Sequence, residues 1–169
     1  MASAASIVTH QPLPARPSVL IVGAGGLLVL IAAALVRQLA RGQVAWPADH
    51  SLWLAIHLLS VVPAVPIGAV VLFAGKGTPA HRRLGRIWAV LMLTGALSSF
   101  GLHSVLGHLS PIHLLSALVL VAVPHGIRSA MKHDVARHKR TMRGVYIGLL
   151  SAGLFAFVPG RLLGVWLFG

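Results

Sequence analysis

The stretch Ile56-His57-Leu58-Leu59-Ser60 returns further along the chain as Ile112-His113-Leu114-Leu115-Ser116. A second pair follows in the same order and at nearly the same spacing: His81-Arg82-Arg83 with Arg86, then His138-Lys139-Arg140 with Arg143. Each member of that second pair leads into an apolar run, ending in Phe100 or Phe157. The order and spacing predict one helical hairpin duplicated, residues 51–106 repeated as 110–161. The two copies would be parallel repeats related by an axis along the membrane normal.

Working outward from these repeats, the residues between them read as membrane spans. Hydrophobic residues make up 57% of the chain and charged ones 9%, where soluble domains carry roughly a quarter charged. Residues 1–17 form a polar, Pro-rich lead-in, and Ser18–Val36 is an unbroken apolar run bounded by Arg16, Arg37 and Arg41. Such a run covers roughly 30 Å of hydrocarbon and predicts a first transmembrane helix over 18–41. A cleaved signal peptide is the competing reading, given Ala32, Ala33 and Ala34, but the run exceeds a typical signal core. Gly23, Gly25 and Gly26 lie inside that run and not after a strand, so they offer helix packing and no dinucleotide-binding turn.

Helix two is expected from about Ser51 to Ala74, with Trp46 and Trp53 as interfacial anchors and a kink at Pro63 and Pro66. After Gly75-Lys76-Gly77, Thr78 can cap and Pro79 can open helix three, which would reach about His103. Ser110-Pro111 repeats that start signal for helix four, to about Ile127. Asp134 can cap helix five, to about Val158, where Pro159-Gly160-Arg161 ends it. Residues 162–169 read as an apolar, interfacial tail. The fold expected is an all-α integral membrane protein: a four-helix transmembrane bundle over 50–161 plus one amino-terminal transmembrane helix.

The formal charge is +12, with 14 Lys and Arg against 2 acids, Asp49 and Asp134. A balance that basic raises nucleic acid as a partner, yet the cations cluster in loops between apolar blocks, where lipid headgroups account for them. Nucleic-acid binding is therefore excluded, and the bilayer is the partner the charges point to. Arg16, the loop holding Lys76, Arg82, Arg83 and Arg86, and the loop from Arg128 to Arg143 fall on one side. The positive-inside rule then puts the amino terminus in the cytoplasm of a bacterial inner membrane and the carboxyl terminus outside, with five spans.

With 10 His and no Cys, a transition-metal ligand would have to be His. The repeat brings His57 toward His113 at one face and His81 toward His138 at the other. Two imidazoles facing across an apolar four-helix bundle are what a b-type haem needs. Two such pairs would make a dihaem protein that passes electrons across the membrane. Gly85, Gly95, Gly101 and Gly126 would leave room for a flat ring, and Arg82, Arg83, Arg86, Arg140 and Arg143 could meet haem propionates on the inner side. A non-catalytic membrane subunit or a small-molecule binder, whose histidines only pack and hydrogen-bond, is the reading of a different class. A third is an outer copper or zinc site of His103, His108 and His113. Association with other membrane subunits or with a second copy is compatible with each, and no redox partner is named by the sequence.

The elements Gly77-Thr78-Pro79-Ala80-His81-Arg82-Arg83-Leu84-Gly85-Arg86, Ser110-Pro111-Ile112-His113-Leu114-Leu115-Ser116, His138-Lys139-Arg140-Thr141-Met142-Arg143 and Pro159-Gly160-Arg161 resemble a bacterial family of predicted membrane proteins, domain of unknown function 2306, over roughly residues 50–161. That resemblance implies a membrane fold and no particular activity. The chain also resembles, less closely, dihaem transmembrane b-type cytochromes of the ascorbate-reducible kind. There one His pair lies on the first and third core helices and another on the second and fourth, as His57 with His113 and His81 with His138 would. His81 and His138 lie nearer the helix ends than such ligands do, and no ascorbate site is recognisable.

Overall fold

The computed structural model describes residues 17–42, 51–73, 75–102 and 111–169. In hydrocarbon each backbone N–H and C=O must be paired within the segment, so long apolar runs settle as helices. The helices are α1 (Pro17–Ala40), α2 (Ser51–Phe73), α3 (Pro79–Gly101), α4 (Pro111–Met131), α5 (Val135–Phe155) and α6 (Leu162–Phe168). No strand occurs among the described residues. Four stretches are long and apolar enough to cross a membrane: Ser18–Ala40, Leu52–Phe73, Pro79–Gly101 and His113–Met131. The fifth expected span, α5, matches α4 in length at 21 residues. Arg137, Lys139, Arg140 and Arg143 occupy its first turns, however, so only its portion from Gly144 to Phe155 is free of charge.

Local chemistry sets the boundaries. Thr78 Oγ1 accepts from the His81 backbone N–H at 3.1 Å with Pro79 at the helix start, so α3 begins where the sequence reading puts it. α2 runs through both Pro63 and Pro66 as one helix. α4 continues to Met131, past the expected end at Ile127, and stops where His133 adopts a φ of 61° and the Asp134 N–H reaches back to Ser129 O at 2.9 Å. Asp134 then accepts from the Arg137 N–H at 3.0 Å and opens α5. α5 ends at Phe155, before the expected Val158. There Phe157 and Val158 turn to carbonyls three residues back, at 3.1 and 3.3 Å, and Pro159 disfavours helical geometry at the residue before it.

The expected apolar tail, residues 162–169, is helical over Leu162–Phe168. This helix is α6, whose Leu163 and Trp166 are buried. α6 packs on α1, held there by Gln38 Nε2 donating to Trp166 O at 3.1 Å and Arg41 Nη1 donating to Gly169 O at 2.7 Å.

The helices α2, α3, α4 and α5 pack as a ring, each against the next, and α5 closes on α2. This order sets α2 diagonally opposite α4, and α3 opposite α5. α1 lies outside the ring against α2 and α5. It runs parallel to α5, because Leu150 sits beside Gly23 and Leu27 beside Gly153. At the ring's centre Trp88 and Tyr146 meet with centroids 6.4 Å apart, tilted by 54°. Trp88 Nε1 donates to Ala64 O and Tyr146 Oη to Val65 O, both at 3.0 Å. A buried indole N–H or phenol needs such an acceptor. The periphery is apolar in turn: Val22, Leu59, Leu114 and Val121 all face outward, as contact with lipid acyl chains requires.

Candidate functional site

The α2–α3 and α4–α5 connections lie at one end of the bundle, the basic end. His57 lies near the start of α2 and His113 in the first turn of α4, both toward the opposite end. His57 Nδ1 is 2.9 Å from Gly95 O and 3.3 Å from Ser98 Oγ on α3. A carbonyl partner makes Nδ1 the donor, so in the neutral ring Nε2 is the unprotonated nitrogen. His113 is buried, and its Nε2 donates to Ser99 O at 3.1 Å, with the Phe100 ring 5.6 Å away. Ser99 Oγ is joined at 2.7 Å to Ser116 Oγ. Both histidines thus turn toward the last turns of α3, although they come from opposite corners of the ring.

They also line one cavity of about 830 Å³. Leu27, Ile31 and Leu35 of α1 wall it on one side, Met92 and Val119 on another, and α6 contributes Leu163 and Trp166. The surface is mostly apolar. Among the described residues its lining includes two histidines, Ser99, Ser116 and one charged residue, Arg161. A wall of this kind suits a largely apolar molecule carrying a few polar groups.

At the basic end, His81 lies in the first turn of α3 with Nδ1 buried and without a hydrogen-bond partner. His138, three residues into α5, has Nδ1 2.9 Å from Gly126 O. Arg143 is half-buried with Nη2 unpartnered, whereas Arg82 and Arg86 are exposed. His103 and His108 lie outside the described residues. Among the described residues no group of three or more His, Asp or Glu side chains converges as a metal site.

The family described as predicted membrane protein (DUF2306) matches residues 54–164. The chain belongs to this family. In this DUF2306 protein the match takes in the whole ring from early α2 through α5 and the start of α6. α1, which walls the cavity, lies before it. No curated protein and no solved structure matches the chain.

The glycines expected to admit a flat ring are mostly occupied by neighbouring side chains. A Cβ at Gly101 would meet the Trp53 indole, one at Gly126 the Met142 side chain, and one at Gly95 the Val61 Cγ1 at 2.8 Å. They serve close helix contact, and only Gly95 of the three also borders the cavity. Two features of this DUF2306 protein escape a reading by residue type. Trp88 and Tyr146 bond to backbone carbonyls, which no motif encodes. Arg161 reads as a helix-ending residue but borders the cavity.

Proposed function

We propose that this membrane protein is a b-type dihaem carrier of electrons across a bacterial inner membrane, with its amino terminus in the cytoplasm. The observation that carries the reading is that His57 and His113, on diagonally opposed helices, line one apolar cavity. His57 would be one residue to hold the haem: its Nδ1–H is donated to Gly95 O, which orients the ring and would leave Nε2 as the ligating nitrogen. His113 lines the same cavity and would have to give up its Nε2 bond to Ser99 O in order to hold the haem. At the basic end, His81 and His138 also lie on opposed helices, and the His138 Nδ1 is held by Gly126 O in the manner of His57. Arg143 is the inner cation placed deepest for a propionate, with Arg82 and Arg86 further out at the surface. Bound haem would supply reversible one-electron chemistry. The chain's own part is to orient imidazoles and to keep water out with the Leu, Val and Met side chains around them.

The bond from His113 Nε2 to Ser99 O favours a second reading: a small-molecule binder in which the imidazoles act as hydrogen-bonding groups on an apolar ligand. The third reading, a copper or zinc site of His103, His108 and His113, rests on two histidines outside the described residues. An absorption spectrum of protein purified from haem-replete cells separates these. A Soret band that His57→Ala weakens supports the dihaem reading. Colourless, iron-free protein rejects it and leaves the small-molecule reading, and bound copper or zinc selects the third.

A further inference from the structure

The α2–α3 and α4–α5 connections, with the helix turns beside them, gather ten Lys and Arg at one end of the ring, within residues 76–86 and 128–143. Asp134, the one acid among the described residues, is engaged by Arg137, with Nε 3.2 Å from Oδ2. We propose that this end seats an anionic phospholipid, whose phosphate is received by Arg143 and His81. The site is separate from the 830 Å³ cavity and does not depend on what that cavity holds.

A surplus of cations on one side fixes topology in membrane proteins generally, but it does not account for two of the side chains here. Of the three buried side-chain polar atoms that lack a hydrogen-bond partner among the described residues, two lie at this end: His81 Nδ1 and Arg143 Nη2. Helical periodicity turns both inward. His81 stands two turns before Trp88 on α3, and Arg143 stands about one turn before Tyr146 on α5. Trp88 and Tyr146 are the residues that meet at the ring's centre. Helical side chains also lean toward the helix start, which for α3 and α5 is the basic end. The two nitrogens therefore face the basic mouth of the ring from its opposite corners.

Depth strengthens the demand for an anion. The charge-free portion of α5, Gly144–Phe155, rises only about 18 Å, against roughly 30 Å of hydrocarbon. A spanning α5 carries Arg143 below the level of the headgroups or draws a headgroup in to it. A guanidinium at that depth is costly unless an anion meets it. The planar fork of arginine matches two phosphate oxygens at once, and the Nδ1–H of His81 supplies a donor to another. The acyl chains of the same molecule then lie along the apolar outer faces of the helices, where Val90, Leu97 and Ile147 are exposed. A free phosphate has no such second attachment, so the lipid is the favoured source. Basic pockets between helices at a membrane surface hold headgroups of this kind.

Full-length protein in neutral detergent is titrated with phosphatidylglycerol, with phosphatidylcholine and with inorganic phosphate, and its thermal midpoint is read at each concentration. Phosphatidylglycerol should raise the midpoint at a concentration about tenfold below that needed of phosphatidylcholine, the scale of one charge-assisted hydrogen bond. The choline ammonium is repelled by the neighbouring cations. Arg143→Gln should abolish the preference, whereas Arg143→Lys and His81→Ala should reduce it. Lys132→Gln, which removes an exposed charge from the same end, should keep it. Each variant is compared with itself in the two lipids, so a change in its own stability does not enter, and His81→Ala carries the test should Arg143→Gln not fold. Equal response to both lipids, an equal response to inorganic phosphate alone, a preference that survives Arg143→Gln, or one lost as fully in Lys132→Gln overturns the proposal. Absorption spectra of the same samples separate it from the dihaem reading. A Soret band that weakens in Arg143→Gln, with no lipid preference in native protein, assigns the guanidinium to a propionate and overturns the lipid. A lipid preference in colourless, iron-free protein upholds the lipid and leaves only the dihaem reading to fall.

Discussion

Gly68 is one place where the bundle has no room for another atom. A Cβ there would stand 2.5 Å from Trp88 Nε1 and 2.7 Å from Tyr146 Cε2, and both rings are pinned by hydrogen bonds to α2 carbonyls. Neither ring can retreat, so Gly68→Ala should cost about 1–3 kcal/mol by overpacking, measured as a lower thermal midpoint in detergent. Gly126→Ala is the control. Its Cβ would meet the flexible end of Met142 and then Thr141 Cγ2 at 3.2 Å, and the helix gains about 1 kcal/mol of propensity from Ala, so little net change is expected. Tyr146→Phe removes the bond to Val65 O without a steric change. It should destabilise the protein by about 0.6 kcal/mol, the average for hydrogen bonds between membrane helices, and by no more than about 1.7. An unchanged midpoint for Tyr146→Phe would deny that bond any structural weight.

Helix starts were legible in the sequence because their signals are short and chemical: Thr78-Pro79 and Asp134 do what a cap does in any protein. Helix ends were less so. α4 overran because Arg128 and Ser129 are compatible with helix at an interface, and what stops the chain is the backbone of His133, with a φ of 61°. α6 was invisible as an element, since seven residues carry too few turns for a periodic signal and its reason to exist is α1, far away in the chain. The span status of α5 is the element-level question that chemistry can answer. The chain has no Cys, so single-cysteine variants give a clean readout. If α5 crosses the membrane with its basic turns in the cytoplasm, Lys76→Cys and Lys139→Cys should react with an impermeant thiol reagent from the cytoplasmic side only. Arg41→Cys should then react only from the other side. Labelling of positions 139 and 41 from the same side would reverse the orientation assigned to α1 or to α5.

Across the whole molecule the ring order keeps the two histidine pairs far apart. The helical rise from His81 to Gly95, the partner of His57 on α3, is about 21 Å, with Trp88 about midway. Sites that far apart, with no shared side chain, should lose their ligands independently. The apolar blocks, the five long helices and the candidate histidines were all readable before folding, because hydropathy and residue type carry them. Which corner of the ring each helix takes was not, and that placement decides whether His57 meets His113 across a cavity. If haem is the ligand at both ends, His57→Ala or His113→Ala should halve the haem content, and so should His81→Ala or His138→Ala. Combining one substitution from each end should leave none, as read by pyridine haemochrome absorbance against protein concentration. Haemin added to haem-depleted native protein should raise the thermal midpoint, by about 2.7 kcal/mol of added stability at a hundredfold excess over its dissociation constant. His57→Ala joined with His138→Ala should show no such rise. Losing all haem on a single substitution would instead mean one shared site, which the separation of the two histidine levels along α3 does not permit.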